Sequence, residues 1–232
     1  MKLTLKEIRK EAQNAYSLIF HKPENFTWNP GEYISLKIPH ENKDLRGEER
    51  TFSISSAPSE NVVMITTRNF KEKGSSFKKE LFNLKEGDNV TFTKPSVSPT
   101  FFNASDESKT YIFLTAGIGI TPVRSVIMDY SLLGKTLKGT LLYANRDDEY
   151  IFDKELDEAI KNLPNFTIQK YHGKRINREV LEEILIQYNN PIFNISGTLE
   201  FISEMRETLL NQLNVSIENV KSSSFGKGYS NS

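Results

Sequence analysis

Hydrophobic and polar residues alternate one by one through the first part of the chain. In GEYISLKIP, Ile34, Leu36 and Ile38 point one way, and Tyr33, Ser35 and Lys37 the other. That is the period-2 pattern of a half-buried antiparallel strand. Similar short strands are expected at 3–9, 16–21, 51–55, 62–67 and 89–92. Turn signals separate them: Asn29-Pro30-Gly31, Ala57-Pro58 and Glu86-Gly87-Asp88. With one short helix near 76–81, this series predicts a small closed barrel.

The rhythm then changes. Buried strands are expected at 111–115, 139–144, 166–171 and 192–196. Between them run stripes of helical spacing: Leu156, Ala159, Ile160 and Leu163; Val180, Leu181, Ile184 and Leu185; Ile202, Met205, Leu209 and Leu213. Such stripes are helix faces that pack on a sheet. Strand and helix in alternation predict βαβ units and a parallel sheet. The seam, KPSVSPTFFNASDESK at 94–109, is rich in Ser and Pro and has no period. The expected division is a barrel domain at 1–98, a linker at 99–109 and an α/β domain at 110–232. Phe101 and Phe102 are candidates to dock back onto one of the two domains.

Composition narrows the chemistry. Thirty basic residues balance thirty acidic ones, so net charge gives no support to nucleic-acid binding. The absence of cysteine excludes thiolate nucleophiles, disulfides and an iron–sulfur cluster held by this chain. His21, His40 and His172 lie far apart and lack metal-ligand spacing, so no metal is expected. The first residues, MKLTLKEIRK, lack the apolar stretch of a signal peptide. No apolar run approaches the roughly 20 residues of a membrane span. A cytoplasmic location is expected.

Three stretches carry candidate chemistry. TAGIGITP at 115–122 ends the first strand of the parallel sheet, where ligands of open α/β sheets bind. Gly117 and Gly119 lack a Cβ, so backbone can approach a phosphate closely. Thr121 is expected as N-cap and Pro122 as first helical residue, with the helix at 123–132 aiming its N–H groups at an anion. In RTFS at 50–53, Arg50 offers a diphosphate a charged fork and Phe52 a flat face for a ring. Ser53 offers a donor and acceptor to a polar ring edge. In KGSS, Gly74, Ser75 and Ser76 open a short helix and form a second phosphate candidate.

RTFS, then GSS before a short helix, then TAGIGITP, in this order, resembles the ferredoxin–NADP reductase superfamily. These are flavin- and nicotinamide-nucleotide-dependent oxidoreductases. LYANRDDEYIFDKEL at 142–156, ISGTLEFI at 195–202 and ENVKSSSFGKGY at 218–229 extend the resemblance over essentially the whole chain. It implies a two-domain fold: a six-stranded antiparallel flavin-binding β-barrel, then an NAD(P)-binding α/β domain with a parallel sheet. It implies FAD and NADPH or NADH as cofactors.

Carried over by motif, Arg50 and Thr51 belong to the flavin-binding strand. Arg50 would meet the diphosphate, Phe52 the isoalloxazine and Ser53 its N5 edge. Thr66 and Thr67 would line the flavin, and Gly74, Ser75 and Ser76 would hold the FAD diphosphate. Thr115, Gly117, Gly119, Thr121 and Pro122 would hold the nicotinamide nucleotide, with Arg146 near the adenosine ribose. Ser196, Gly197 and Thr198 would flank the nicotinamide, and Tyr229 would cover the flavin. Ser53, Ser196 and Tyr229 are the candidate catalytic residues.

The departures from the family pattern are specific. Ser196 stands where cysteine is common, Thr198 where proline is, and Ser222, Ser223 and Ser224 replace an expected acidic residue. PSVSPTFF replaces a glycine-containing turn. The implied mechanism is hydride transfer from NAD(P)H to flavin N5, with electrons passed to a separate protein such as ferredoxin or flavodoxin. Reduction of free flavin or small oxidants is an alternative, and a non-catalytic flavin- or nucleotide-binding regulatory module is another. Arg146, Lys174 and Arg175 are candidates to meet the extra phosphate of NADPH, and Asp147 and Asp148 would repel it if they point inward; a solvated charged face is the equal alternative for all five.

Overall fold

The computed structural model describes residues 1–93, 95, 102, 108–146 and 148–224. Most of the linker, Phe101, Asp147 and Tyr229 lie outside the described residues. Six strands build the first sheet: β1 (Lys2–Ala12), β2 (Ala15–His21), β3 (Tyr33–Lys37), β4 (Glu49–Ser53), β5 (Val62–Arg68) and β6 (Asn89–Phe92). Their order is β4-β3-β6-β1-β2-β5, and every pairing is antiparallel. A bridge between Ile54 and Ile65, and a 2.7 Å bond from Ser55 N to Met64 O, join the two edge strands. The sheet therefore closes on itself, which leaves no long open edge. Its interior is apolar, with Leu3, Phe20, Ile34 and Phe77 fully buried. Each such side chain contributes about 2–3 kcal/mol by leaving water. Helix α1 (Ser76–Asn83) plugs the barrel with Phe77 and Leu81.

The second sheet is wholly parallel. Strands β7 (Thr110–Ala116), β8 (Lys138–Asn145), β9 (Phe166–His172), β10 (Ile192–Gly197) and β11 (Val220–Ser224) lie in the order β11-β10-β7-β8-β9. The chain moves outward from β7 to β9, then returns to the other side of β7. The reversal opens a crevice at the carboxyl ends of β7 and β10, the usual ligand position in such sheets. Helices α2 (Ile120–Leu132) and α3 (Asp153–Ala159) cover one face; α4 (Arg178–Gln187) and α5 (Leu199–Glu207) cover the other. The third predicted stripe continues beyond α5 through a wider turn at Thr208–Gln212. No helix among the described residues is long and apolar enough to cross a membrane.

One local expectation is corrected. Thr121 is not the N-cap of α2, and Pro122 is not its first residue. A 3-10 turn at Gly117–Gly119 runs straight into the helix, which begins at Ile120. Pro122 then sits in the first turn, where its missing N–H has no helical partner to lose. The Thr121 hydroxyl donates back to Ile118 O at 3.1 Å.

The domains share one apolar cluster. Ala12, Ala15, Ile19 and Met64 of the barrel pack in the same core as Phe113, Ile127 and Tyr143. Phe102 docks on the sheet domain, with ring centroids 5.0 Å from Tyr111 and 5.8 Å from Phe113. Across this contact reaches Arg124 of α2, only 2% exposed. It donates to Ser55 O at 2.7 Å, to both oxygens of Glu60 at 2.8 Å and to Glu155 at 2.8 Å. Burial opposes its charge, but the hydrogen bond and charge of Glu60, then Glu155, raise its pKa above the ordinary value. Ser125 adds a 2.7 Å bond to Ser56 O.

Replacing Arg124 by Met leaves two carboxylates facing an apolar side chain. The expected loss is about 3 kcal/mol, read as a lower urea midpoint at unchanged slope. A loss below about 1 kcal/mol would mean that apolar packing alone fixes the domains.

Candidate functional site

The site has two ends. The first is the N-terminus of α1. Ser75 is its N-cap, and its Oγ accepts from Lys78 N at 3.3 Å. Ser76 N donates to Asp44 Oδ2 at 3.0 Å, and the Ser76 hydroxyl accepts from Asp44 N at 2.9 Å. His40 Nε2 lies 2.9 Å from the same hydroxyl. The other Asp44 oxygen accepts from Arg46 N at 2.9 Å and from Arg50 Nη2 at 3.2 Å. Burial works against the Asp44 carboxylate. The N–H groups of Arg46 and Ser76 and the charges of Arg50 and Arg46 nevertheless hold its pKa below the usual range. The donor set thus already holds one anion, the Asp44 carboxylate.

Basic groups converge behind this carboxylate. Lys78 Nζ donates to Arg68 O at 3.0 Å and lies 5.7 Å from the Phe70 ring centroid. Burial first, then the charges of Arg46, Arg50 and Arg68, push its pKa from 10.5 down to about 8. Arg50 donates to the carbonyls of Arg46 and Glu49 at 2.6 Å, and its guanidinium carbon stands 5.4 Å from the Phe77 ring centroid. Gly74 caps the preceding turn, its N–H donating to Lys71 O at 2.9 Å.

The neighbouring barrel residues are placed as follows. Phe52 is buried in the barrel core, 6.0 Å from Phe77, with Ser53 buried next to it. Thr51 turns to the exposed side and shares a 2.9 Å bond with Ser35. Thr66 and Thr67 are buried. The Thr66 hydroxyl is shared with Ser17 and Ser55, each at 2.8 Å. It therefore satisfies buried hydroxyls inside the barrel wall.

The second end is the crevice of the parallel sheet. Gly117 has φ +53°, a conformation that glycine adopts without strain, and its carbonyl accepts from Tyr143 OH at 3.2 Å. Burial pushes the Tyr143 pKa upward, so it stays a neutral donor. Gly119 is a glycine for a different reason. A Cβ there would lie 2.3 Å from Ser196 O and 2.7 Å from Gly197 N. The missing side chain lets the turn pack on β10, not on a ligand. Ser196, fully buried, donates to Gly119 O at 2.6 Å, a bond that a cysteine thiol makes only weakly. Its hydroxyl is thereby committed to shaping the turn. A Cβ at Gly197 would meet the Phe201 ring at 2.8 Å. Thr198 is the N-cap of α5, accepting from Phe201 N at 3.3 Å. Thr115 Oγ1 and Asn194 Oδ1 are buried without a hydrogen-bond partner among the described residues.

At the ends of β8 and β9, Gln13, Arg146, Asp148, Glu149 and His172 line a cleft of about 410 Å³. His172 Nε2 stands 3.0 Å from Asp148 Oδ1. No cluster of three or more His, Asp or Glu suited to a metal occurs among the described residues. Arg46, Arg68, Lys78 and Asp44 sit at the site without any sequence motif of their own. The basic residues could have been suspected only from their proximity to RTFS and GSS.

No family model matches the chain. The ferredoxin reductase component of 3-ketosteroid-9-alpha-monooxygenase from Mycolicibacterium smegmatis is 28% identical over 174 residues, covering 71% of this chain and 47% of that protein. Flavohemoprotein A of Dictyostelium discoideum is 25% identical, covering 94% of this chain and 58% of that protein. The FAD/NAD-binding domain of nitric oxide dioxygenase from Vibrio cholerae superposes with TM-score 0.80 at 21% identity, covering 97% of this chain and 98% of that one. The relatives and structural neighbours are ferredoxin reductase-like FAD/NAD-binding oxidoreductases. The chain has the ferredoxin reductase-like two-domain fold. The chain spans about half the length of these curated relatives.

Two measurements follow from the geometry. Gly119→Ala is expected to cost about 2–3 kcal/mol through backbone overlap, and Gly117→Ala about 1 kcal/mol through its positive φ; denaturation of both variants checks the order. Lys78 is the second case. Its folded pKa, about 8, lies below the ordinary 10.5. Its charge therefore weighs against the native state below pH 8, and stability rises as pH climbs from there toward 10.5. An added anion reverses the depression. Inorganic pyrophosphate should bind with proton uptake near pH 8 and more weakly above it, measured by calorimetry in buffers of different ionisation enthalpy. Lys78→Met should remove the uptake.

Proposed function

We propose that this chain is an FAD-dependent NAD(P)H oxidoreductase that passes electrons to a separate acceptor. The working units of this reading are the barrel at 1–98, a linker at 99–109 and the α/β domain at 110–232. The observation that carries it is the pair of anion-binding ends, α1 with Arg50 and Lys78 on one side and the glycine turn on the other, set against each other across a single domain junction. The residues fit FAD, because Ser76 N and Arg50 already bind a carboxylate where a diphosphate would lie. A bound flavin would supply hydride acceptance at N5 from the nicotinamide C4 and onward electron transfer.

The protein's part is positioning. Ser76, Arg50 and Lys78 would fix the FAD diphosphate. Phe52 and Ser53 would border the isoalloxazine. Gly117 and Thr115 would meet the nicotinamide nucleotide, and Ser196 would hold the turn in shape through Gly119. Thr198 would fix the start of α5 beside it, and Arg146 would stand near the adenosine ribose. Little acid–base machinery is required, since hydride moves directly between the two rings.

With no cysteine in its 232 residues, the chain has no thiolate ligands for a relay of its own, so electrons would leave from the flavin. The M. smegmatis relative is named as a ferredoxin reductase component, which supports a ferredoxin- or flavodoxin-type acceptor. Arg146, Asp148 and His172 share the cleft at the far end of the nucleotide site, so charges of both signs bear on the choice between NADPH and NADH.

The test is anaerobic reduction of the purified protein by NADH and NADPH in parallel. Stoichiometric flavin that bleaches promptly with at least one nucleotide is expected. Flavin held but bleached by neither would make the chain a regulatory module. Flavin lost on purification yet reduced when added free would make it a reductase of free flavin.

A further inference from the structure

Tyr143 lies near the carboxyl end of β8, fully buried, in register between Thr115 of β7 and Lys170 of β9. The Tyr150 ring packs edge-on against it, with centroids 4.9 Å apart at 79°, so the phenol is held from a second side. Its hydroxyl donates to Gly117 O at 3.2 Å. The same carbonyl accepts from Ile120 N as the 3-10 turn runs into α2. Both lone pairs of that oxygen are therefore engaged. Gly117 has φ +53°, and a glycine gives the peptide plane that follows it little resistance to rotation. The phenol supplies the restraint that the glycine lacks.

We propose that Tyr143 is a positioning residue for the nicotinamide nucleotide: by holding Gly117 O it fixes the peptide between Gly117 and Ile118 with its N–H turned toward the nucleotide phosphates. The inference rests on the oxidoreductase reading above and deepens it. A trans peptide carries its C=O and N–H on opposite sides of one plane. A carbonyl pinned along the turn, toward Ile120 N and the phenol, therefore presents the Ile118 N–H away from the helix body. That N–H is among the first of the helical run, which have no acceptor within the helix. A donor on the carbonyl also polarises the peptide and makes its N–H a better donor to an anion. The phenol must be neutral to do this. Burial pushes its pKa upward, against the N–H of Ile151 and the charge of Arg68, so it keeps its proton through the neutral range. Tyr143 touches neither nucleotide nor flavin in this assignment and acts through Gly117. The glycine motif carries no sign of it, because Tyr143 stands 26 residues beyond Gly117 in the chain.

The test uses ADP-ribose, which carries the diphosphate without the nicotinamide ring, titrated calorimetrically into the flavin-loaded protein. Tyr143→Phe keeps the ring and removes only the hydroxyl. Gly117 O retains the Ile120 N–H, so the fold is expected to survive. The variant should bind ADP-ribose roughly fivefold more weakly and raise KM for NAD(P)H by a similar factor, with kcat, flavin content and flavin potential kept. Tyr150 gives a matched control, since its buried hydroxyl has no hydrogen-bond partner among the described residues. Tyr150→Phe should leave ADP-ribose affinity unchanged. Unchanged affinity in Tyr143→Phe overturns the assignment. So does an equal loss in Tyr150→Phe, which would mark general loosening, and so does a lower melting temperature or flavin content with ADP-ribose affinity retained. Wild-type protein that binds ADP-ribose yet is not bleached by NAD(P)H fails the oxidoreductase reading, while the comparison of affinities still decides the role of Tyr143. Wild-type protein that does not bind ADP-ribose overturns that role.

Discussion

Arg124 is the group on which the arrangement of the two domains turns. A guanidinium removed almost wholly from water is tolerated only when its N–H groups meet partners in good geometry. Here those partners come from three places: the carbonyl of Ser55 and the carboxylate of Glu60 after β4, and Glu155 on α3. Apolar contact between Met64, Ile19 and the sheet domain is larger in extent but non-directional. It would permit sliding. The Arg124 fork does not, because a displacement of an ångström or two would leave a buried charge unpaired. The register of barrel against sheet, and so the placing of the glycine turn at the start of α2, is fixed by a side chain one turn further along the same helix.

The electrostatics of the junction have the same logic. Arg46, Arg50, Arg68 and Lys78 gather on the barrel side, and burial first, then the three arginine charges, lower the Lys78 pKa. Such crowding is unfavourable in a resting protein unless an anion answers it. Asp44 supplies one, seated on Ser76 N and Arg50. An incoming diphosphate would find donors already aligned on a carboxylate, so little reorganisation of the cradle would remain. It would also have to replace Asp44 in that seat, so affinity there is a difference between two anions.

The fold was largely legible in the pattern of residues. Alternation at Ile34, Leu36 and Ile38, and the helical stripes of the second part, report directly which face of each element is buried. The strands at 62–67 and 111–115 lie within β5 and β7. The site was legible only where a motif is contiguous. RTFS and GSS can be read along the chain, and the fold brings Arg50 and Ser76 to one carboxylate, Asp44. Arg68, Lys78 and Asp44 cannot, since their meaning depends on a barrel closing and bringing 44, 50, 68 and 78 together. The start of α2 was misplaced because a 3-10 turn leads into it without a capping side chain. Local propensity at Thr121-Pro122 pointed to a cap that the preceding glycine turn makes unnecessary.

The two glycines of TAGIGITP show how one motif can hide two physical demands. Gly117 answers a backbone angle and the approach of Arg68. Gly119 answers the backbone of β10, and Ser196 fastens the same contact from the other side. A motif reading assigns both glycines to the ligand. The structure divides them, one facing the junction and one locking the turn to the sheet. Serine in a position where a thiol is commoner then acquires a mechanical sense. It donates a strong hydrogen bond to the turn, and the crevice at the ends of β7 and β10 keeps its shape because that bond is short and buried.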